Sequence, residues 1–100
     1  MAWEVLQDKK AYSPVVLDLR GLCGFTDYFV ICSADSAQQI KAVAQGVQEK
    51  LGKMNHLEGA WDADWVLLDY GDFIVHIFHQ RARAFYNLEE LWHEAVRIDL

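Results

Sequence analysis

The stretch from Asp64 to His79, DWVLLDYGDFIVHIFH, decides how this chain folds. Two runs rich in Val, Ile, Leu and Phe flank Gly71-Asp72, a pair suited to a tight two-residue hairpin turn with positive φ. Such a turn sets Tyr70 opposite Phe73, Leu68 opposite Val75 and Val66 opposite Ile77. Because side chains alternate across a strand, these residues share one face, and every one of them carries an apolar or aromatic side chain. Burial of that face is required, at roughly 1.5–3 kcal/mol for each large apolar side chain removed from water. The other face sets Trp65, Leu67 and Asp69 opposite Phe78, His76 and Ile74. It is too apolar for a solvated surface and too polar for an ordinary core. What covers it is the functional question.

With 100 residues the chain has room for a single domain, 1–100, and one hydrophobic core. The hydrophobic fraction of 53% and charged fraction of 24% are those of a globular protein. A net charge of -6 argues against a large phosphate-binding surface, so no direct nucleic-acid binding is expected, and a basic protein is the better-matched partner. Cys23 and Cys32 could pair, but two cysteines in an acidic, Trp-rich domain fit reduced thiols and a cytoplasmic setting. The sequence shows no cationic-then-apolar leader and no long apolar run, so neither export nor a membrane role is expected.

Residues 2–10 can form a short helix with Trp3 and Leu6 inward, ended by Ser13-Pro14. Val15–Leu19 reads as a strand, stopped by Arg20-Gly21, and Thr26–Ser33 as a second, joined to it by a short connection that suits antiparallel neighbours. Asp35 or Ser36 can cap the following helix, in which Ile40, Val43, Ala44, Val47 and Leu51 recur at helical spacing and Gly52 supplies a stop. Residues 53–63 read as a connection with its turn at Glu58-Gly59. After the hairpin, residues 80–84 leave the sheet, and Asn87 caps a last helix with Leu88, Leu91, Trp92 and Ala95 inward. This order predicts a mixed α/β (α+β) fold: a single mixed sheet flanked by helices.

Catalytic and metal chemistry find little support. A nucleotidyltransferase needs a Gly-Ser phosphate loop and paired carboxylates for Mg²⁺. Ser33-Ala34-Asp35-Ser36 lacks the glycine, and Asp69 and Asp72 diverge at a hairpin end. His76 and His79, three apart on a strand, point to opposite faces, and no CxxC or HxxxH spacing supports zinc. No catalytic residue, metal site or cofactor is therefore expected. Trp65, Leu67, Asp69 and His76 combine an aromatic anchor, aliphatic bulk and a carboxylate, as an interface centre does. A helix of the same chain covering that face is the alternative the residues leave open.

The runs VVLDLRG, TDYFVICSADS, IKAVAQGVQEKL and DWVLLDYGDFIVHIFH, with the ending RAFYNLEELW, resemble the ribosomal silencing factor (RsfS, or Iojap) family. The resemblance spans roughly Asp8 to Trp92. It departs at Ala34, where the family usually has Gly, at Asp35, and at Gln39, a place often held by His. It implies a nucleotidyltransferase-like fold without the catalytic residues, and a protein that is not an enzyme. It further implies binding to the large ribosomal subunit through ribosomal protein L fourteen, which blocks joining of the small subunit and represses translation. The family is known both as monomer and as homodimer. Carried onto this chain, the resemblance favours a partner-binding surface of Trp65, Leu67, Asp69 and His76, extended by Tyr86 and Glu89. A small nucleotidyltransferase-type enzyme is the rival reading.

Overall fold

The computed structural model describes residues 12–22, 24–59 and 64–99. The helix expected over residues 2–10 lies outside them, as does Cys23. The chain runs β1 (Tyr12–Asp18), β2 (Tyr28–Ala34), α1 (Ala37–Leu51), β3 (His56–Glu58), β4 (Trp65–Asp69), β5 (Phe73–His79), α2 (Gln80–Tyr86), α3 (Leu88–Leu91) and β6 (Val96–Asp99). The strands form one six-stranded sheet in the order β3-β4-β5-β2-β1-β6. Among the described strands only β2 and β5 run parallel, and the connection between them carries α1 across one face of the sheet, as a parallel pair requires. The mixed sheet with flanking helices is the architecture the element order predicts.

The hairpin holds the register expected of it. Val66 pairs with Ile77, Leu68 with Val75, Leu67 with His76 and Trp65 with Phe78. Gly71 takes φ 86°, a conformation cheap only for glycine, and the Tyr70 N–H donates to the Phe73 carbonyl at 3.0 Å. β1 and β2 are antiparallel, with their register broken between Tyr12 and Val15, where Pro14 has no N–H to offer the ladder.

The first face of the hairpin is closed by α1. Ser36 caps that helix, its Oγ accepting the Gln39 N–H at 3.1 Å, and Gly52 ends it at φ 84°. Ile40, Val43, Ala44 and Val47 pack on Val66, Leu68, Val75 and Ile77, joined by Val30 and Cys32. Burial pushes the Cys32 thiol up to about 12, which leaves it a small apolar side chain rather than a nucleophile.

The C-terminal part departs from the sequence expectation in four places. Residues 80–86 are not a bare exit from the sheet but a helix, α2, with Ala82 buried and Phe85 83% exposed. Asn87 does not cap the following helix with its side chain: it sits in the left-handed region at φ 45°, ends α2, and donates from Nδ2 to Glu90 at 2.8 Å. The last helix stops at Leu91, which is 69% exposed rather than inward. The chain then turns into β6, which pairs antiparallel with β1 through Val16–Ile98 and Leu17–Arg97. Trp92 and Ala95 do pack inward, onto the second face.

Candidate functional site

The second face of the sheet is covered on one side and open on the other. Phe29, Ile31, Ile74, Phe78, Val15 and Leu17 form its buried centre, and α2, α3 and the turn after them lay Ala82, Leu88, Trp92 and Ala95 over it. The cover reaches β5 and thins over β4, so Trp65 and Leu67 remain half-buried. On the edge strand beyond, Glu58 pairs with Leu67, and His56 with Asp69. His56 Nε2 lies 2.7 Å from Glu58 Oε1, and both side chains stand exposed at the rim.

Trp65 is the hub of this open side. Its ring stacks on Phe78 at 5.1 Å and 19°, lies 5.1 Å from Tyr86, and is 5.7 Å from the imidazole of His76. Its indole Nε1–H donates to His76 Nδ1 at 3.1 Å. Tyr86 in turn is 49% exposed and meets the still more exposed Phe85 edge-to-face at 5.2 Å. Trp65 and Leu67 also line a shallow cleft with Glu58 and Gly59. Gly59, at φ 91°, comes so close to the Trp65 backbone that a Cβ there would collide with its carbonyl oxygen.

The residues singled out from the sequence therefore occupy different settings. Trp65, Leu67 and Tyr86 lie together on the open side. His76 is only 2% exposed, so the sequence placing it at a contact surface is corrected: it lies beneath Trp65, with Phe29 edge-to-face at 4.4 Å. Burial pulls its pKa down to about 4. Asp69 is not beside the anchor, since Leu67 stands between them on the strand. Its carboxylate accepts the Gly71 N–H at 2.8 Å and so closes the hairpin turn. Glu89 is engaged within the chain: it accepts from Arg83 Nε at 2.8 Å and pairs with Arg97 at 3.0 Å, tying α3 to α2 and β6. Glu58 and Gly59, read from the sequence only as a turn, belong to the rim. The pairing of β3 with β4 brings them there, and three residues of strand are too few for periodicity to reveal.

The places weighed for catalysis hold other roles. Ser33 accepts from Arg83 Nη1 at 3.0 Å, Ser36 is the α1 cap, and His79 Nδ1 accepts the Arg81 N–H at the start of α2. Among the described residues no three His, Cys, Asp or Glu side chains are grouped to hold a metal, and no helix is long and apolar enough to cross a membrane.

Comparison with known proteins gives these features a context. Residues 1–100 match the family model described as "Ribosomal silencing factor during starvation". The chain is 40% identical to the ribosomal silencing factor RsfS of Halalkalibacterium halodurans, over 100% of its own length and 89% of the relative's. It is 39% identical to the chloroplastic protein Iojap of Zea mays, over 91% of this chain and 41% of that longer one. Among solved structures, a Chromobacterium violaceum protein superposes with a TM-score of 0.87 at 34% identity, covering 92% of this chain and 80% of that one. A Bacillus halodurans protein superposes with a TM-score of 0.81 at 40% identity, covering 99% and 93%.

Proposed function

The chain belongs to the ribosomal silencing factor family, and from that premise we propose that it docks on the large ribosomal subunit through ribosomal protein L fourteen. Seated there, it blocks joining of the small subunit and represses translation in the cytoplasm. The action is steric and asks for no catalytic group.

One observation carries this reading: a half-open aromatic ledge of Trp65, Leu67 and Tyr86 lies just outside the cover that α2 and α3 lay over the sheet. Aromatic residues that keep one face available while the other is packed are suited to anchor a protein interface, because much of their ordering cost is met before binding. The rim supplies Glu58, and the chain as a whole carries a net charge of -6. That charge matches a basic ribosomal protein, repels the surrounding RNA phosphates and speeds encounter more than it tightens the complex.

Sedimentation with isolated subunits tests the proposal. The protein is expected to travel with large subunits and not with small ones, and added small subunits should fail to form whole ribosomes on the occupied large subunits. Trp65→Ala, checked for cooperative unfolding, should lose the co-sedimentation. Retention of full binding by that variant sinks the assignment of the ledge.

A further inference from the structure

We infer that His76 is a positioning residue for the docking ledge: its Nδ1 accepts the Trp65 indole N–H and holds the ring in the orientation it offers to a protein partner. The inference rests on the docking role proposed for Trp65, and it assigns to His76 a task that a buried strand position does not otherwise require.

A buried imidazole is costly. His76 is 2% exposed, on β5, among Phe29, Phe78 and Trp65. A Phe, Leu or Ile would fill such a site without desolvating two ring nitrogens, each of which is costly to bury unmatched. Among the described residues Nε2 meets no hydrogen-bond partner at all. Among the described residues the ring's one hydrogen bond is at Nδ1, 3.1 Å from the Trp65 indole nitrogen.

Chemistry then fixes the tautomer. An indole N–H donates and never accepts, so Nδ1 must present its lone pair and the ring proton must sit on Nε2. Protonating the ring would place two donors face to face and break the contact. Burial alone keeps the ring neutral at ordinary pH.

Register explains why these two meet. Trp65 pairs with Phe78 and Leu67 with His76, so Trp65 and His76 are diagonal neighbours on one face of an antiparallel pair. The Phe78 ring at 5.1 Å supports the indole from below and Tyr86 flanks it, but both contacts are ring to ring and leave the indole free to slide or turn over. The hydrogen bond is directional. It chooses which edge of the indole faces inward and therefore which edge faces out.

Nitrogen-15 NMR of the folded protein, paired with large-subunit binding, tests this. At neutral pH the His76 ring should show Nδ1 unprotonated and Nε2 protonated, with the Trp65 indole proton protected from solvent. His76→Phe keeps a flat ring and removes the acceptor. The indole proton should then exchange at least about tenfold faster and large-subunit affinity fall about tenfold, the size expected for one lost hydrogen bond, with the melting temperature held. His76→Asn, which sets a carbonyl oxygen near the place of Nδ1, should restore both. A proton on Nδ1 in the wild-type protein overturns the inference even if His76→Phe fails to fold. So does unchanged indole exchange in His76→Phe, or a freed indole with full affinity. If Trp65→Ala itself binds normally, the docking reading fails and the orienting role with it, while the ring-nitrogen measurement still decides the hydrogen bond.

Discussion

The two faces of the β4–β5 hairpin are made of alternate residues of the same two strands, yet they are finished differently. On one, Val66, Leu68, Val75 and Ile77 are sealed under a fifteen-residue helix with a serine cap and a glycine stop. On the other, Phe78 and Ile74 lie under two short helices that end before β4 is covered, and a histidine sits where the first face has a valine. A face that is completely closed admits only side chains chosen for volume. A face left half-open can keep polar groups at its margin, where each one must find a partner or face water.

The largest test of this contrast is stability. Leu68→Ala should cost about 3 kcal/mol by lost burial plus the cavity left under α1. Trp65→Ala, although it deletes a larger side chain, should cost about 1 kcal/mol, since the indole is half-buried and its neighbours can relax into solvent. Urea unfolding monitored by far-UV dichroism compares the two directly. A greater loss for Trp65→Ala would mean that the faces have been assigned backwards.

Acid sharpens the comparison from the polar side. The folded protein holds His76 down to about 4, whereas the unfolded chain takes up that proton near the ordinary value of 6.5. The unfolded state therefore binds more protons between these values, so the stability His76 permits is complete above pH 6.5 and is lost as pH falls through the window toward 4. At about 1.4 kcal/mol per pH unit the total is roughly 3 kcal/mol. Asp18, held low by its hydrogen bonds to Arg20, acts only below its ordinary 3.8 and equally in any variant at position 76. Unfolding curves of wild type and His76→Phe, together at pH 7, should thus separate as pH drops toward 4, the wild type falling and the variant nearly flat. Parallel curves would place His76 in contact with water.

These contrasts were legible in the sequence to different depths. Gly71-Asp72 and strict alternation were enough to set the hairpin register, because both signals are local. The same locality made the α1 stripe and its Gly52 stop readable and narrowed the cap to Asp35 or Ser36, of which Ser36 serves. What covers the second face was not. α2 buries only Ala82, so it leaves no apolar period to find, and β6 is four residues of edge strand whose partner lies far back in β1. With the cover unknown, His76 read as a surface group. The diagonal relation between Trp65 and His76 was nonetheless implied by the register, and asking who could accept the indole proton would have found it. Asp69 and Glu89 were misplaced for another reason: a carboxylate in a sequence does not announce whether a backbone N–H or an arginine of its own chain already holds it.

The smallest expected effect marks where the open ledge ends. A carboxylate buried against a cation of the partner would, on losing its charge, cost on the order of 2–5 kcal/mol and speed dissociation. Asp69 is placed for something slighter. Its Oδ1 accepts the Gly71 N–H at 2.8 Å, two positions along the same strand face from Leu67 and four from Trp65. Asp69→Asn keeps an oxygen for that hydrogen bond and gives up its charge assistance, so stability should fall by about 0.5–1 kcal/mol. The lost charge lies toward the rim, where salt screens it over about 8 Å at physiological strength. Association with immobilised ribosomal protein L fourteen should therefore slow by about twofold at low salt and less at high salt, with the dissociation rate unchanged. A dissociation rate raised tenfold or more would carry the contact surface past Leu67 to the hairpin turn, and the open half of the second face would then run the full length of β4.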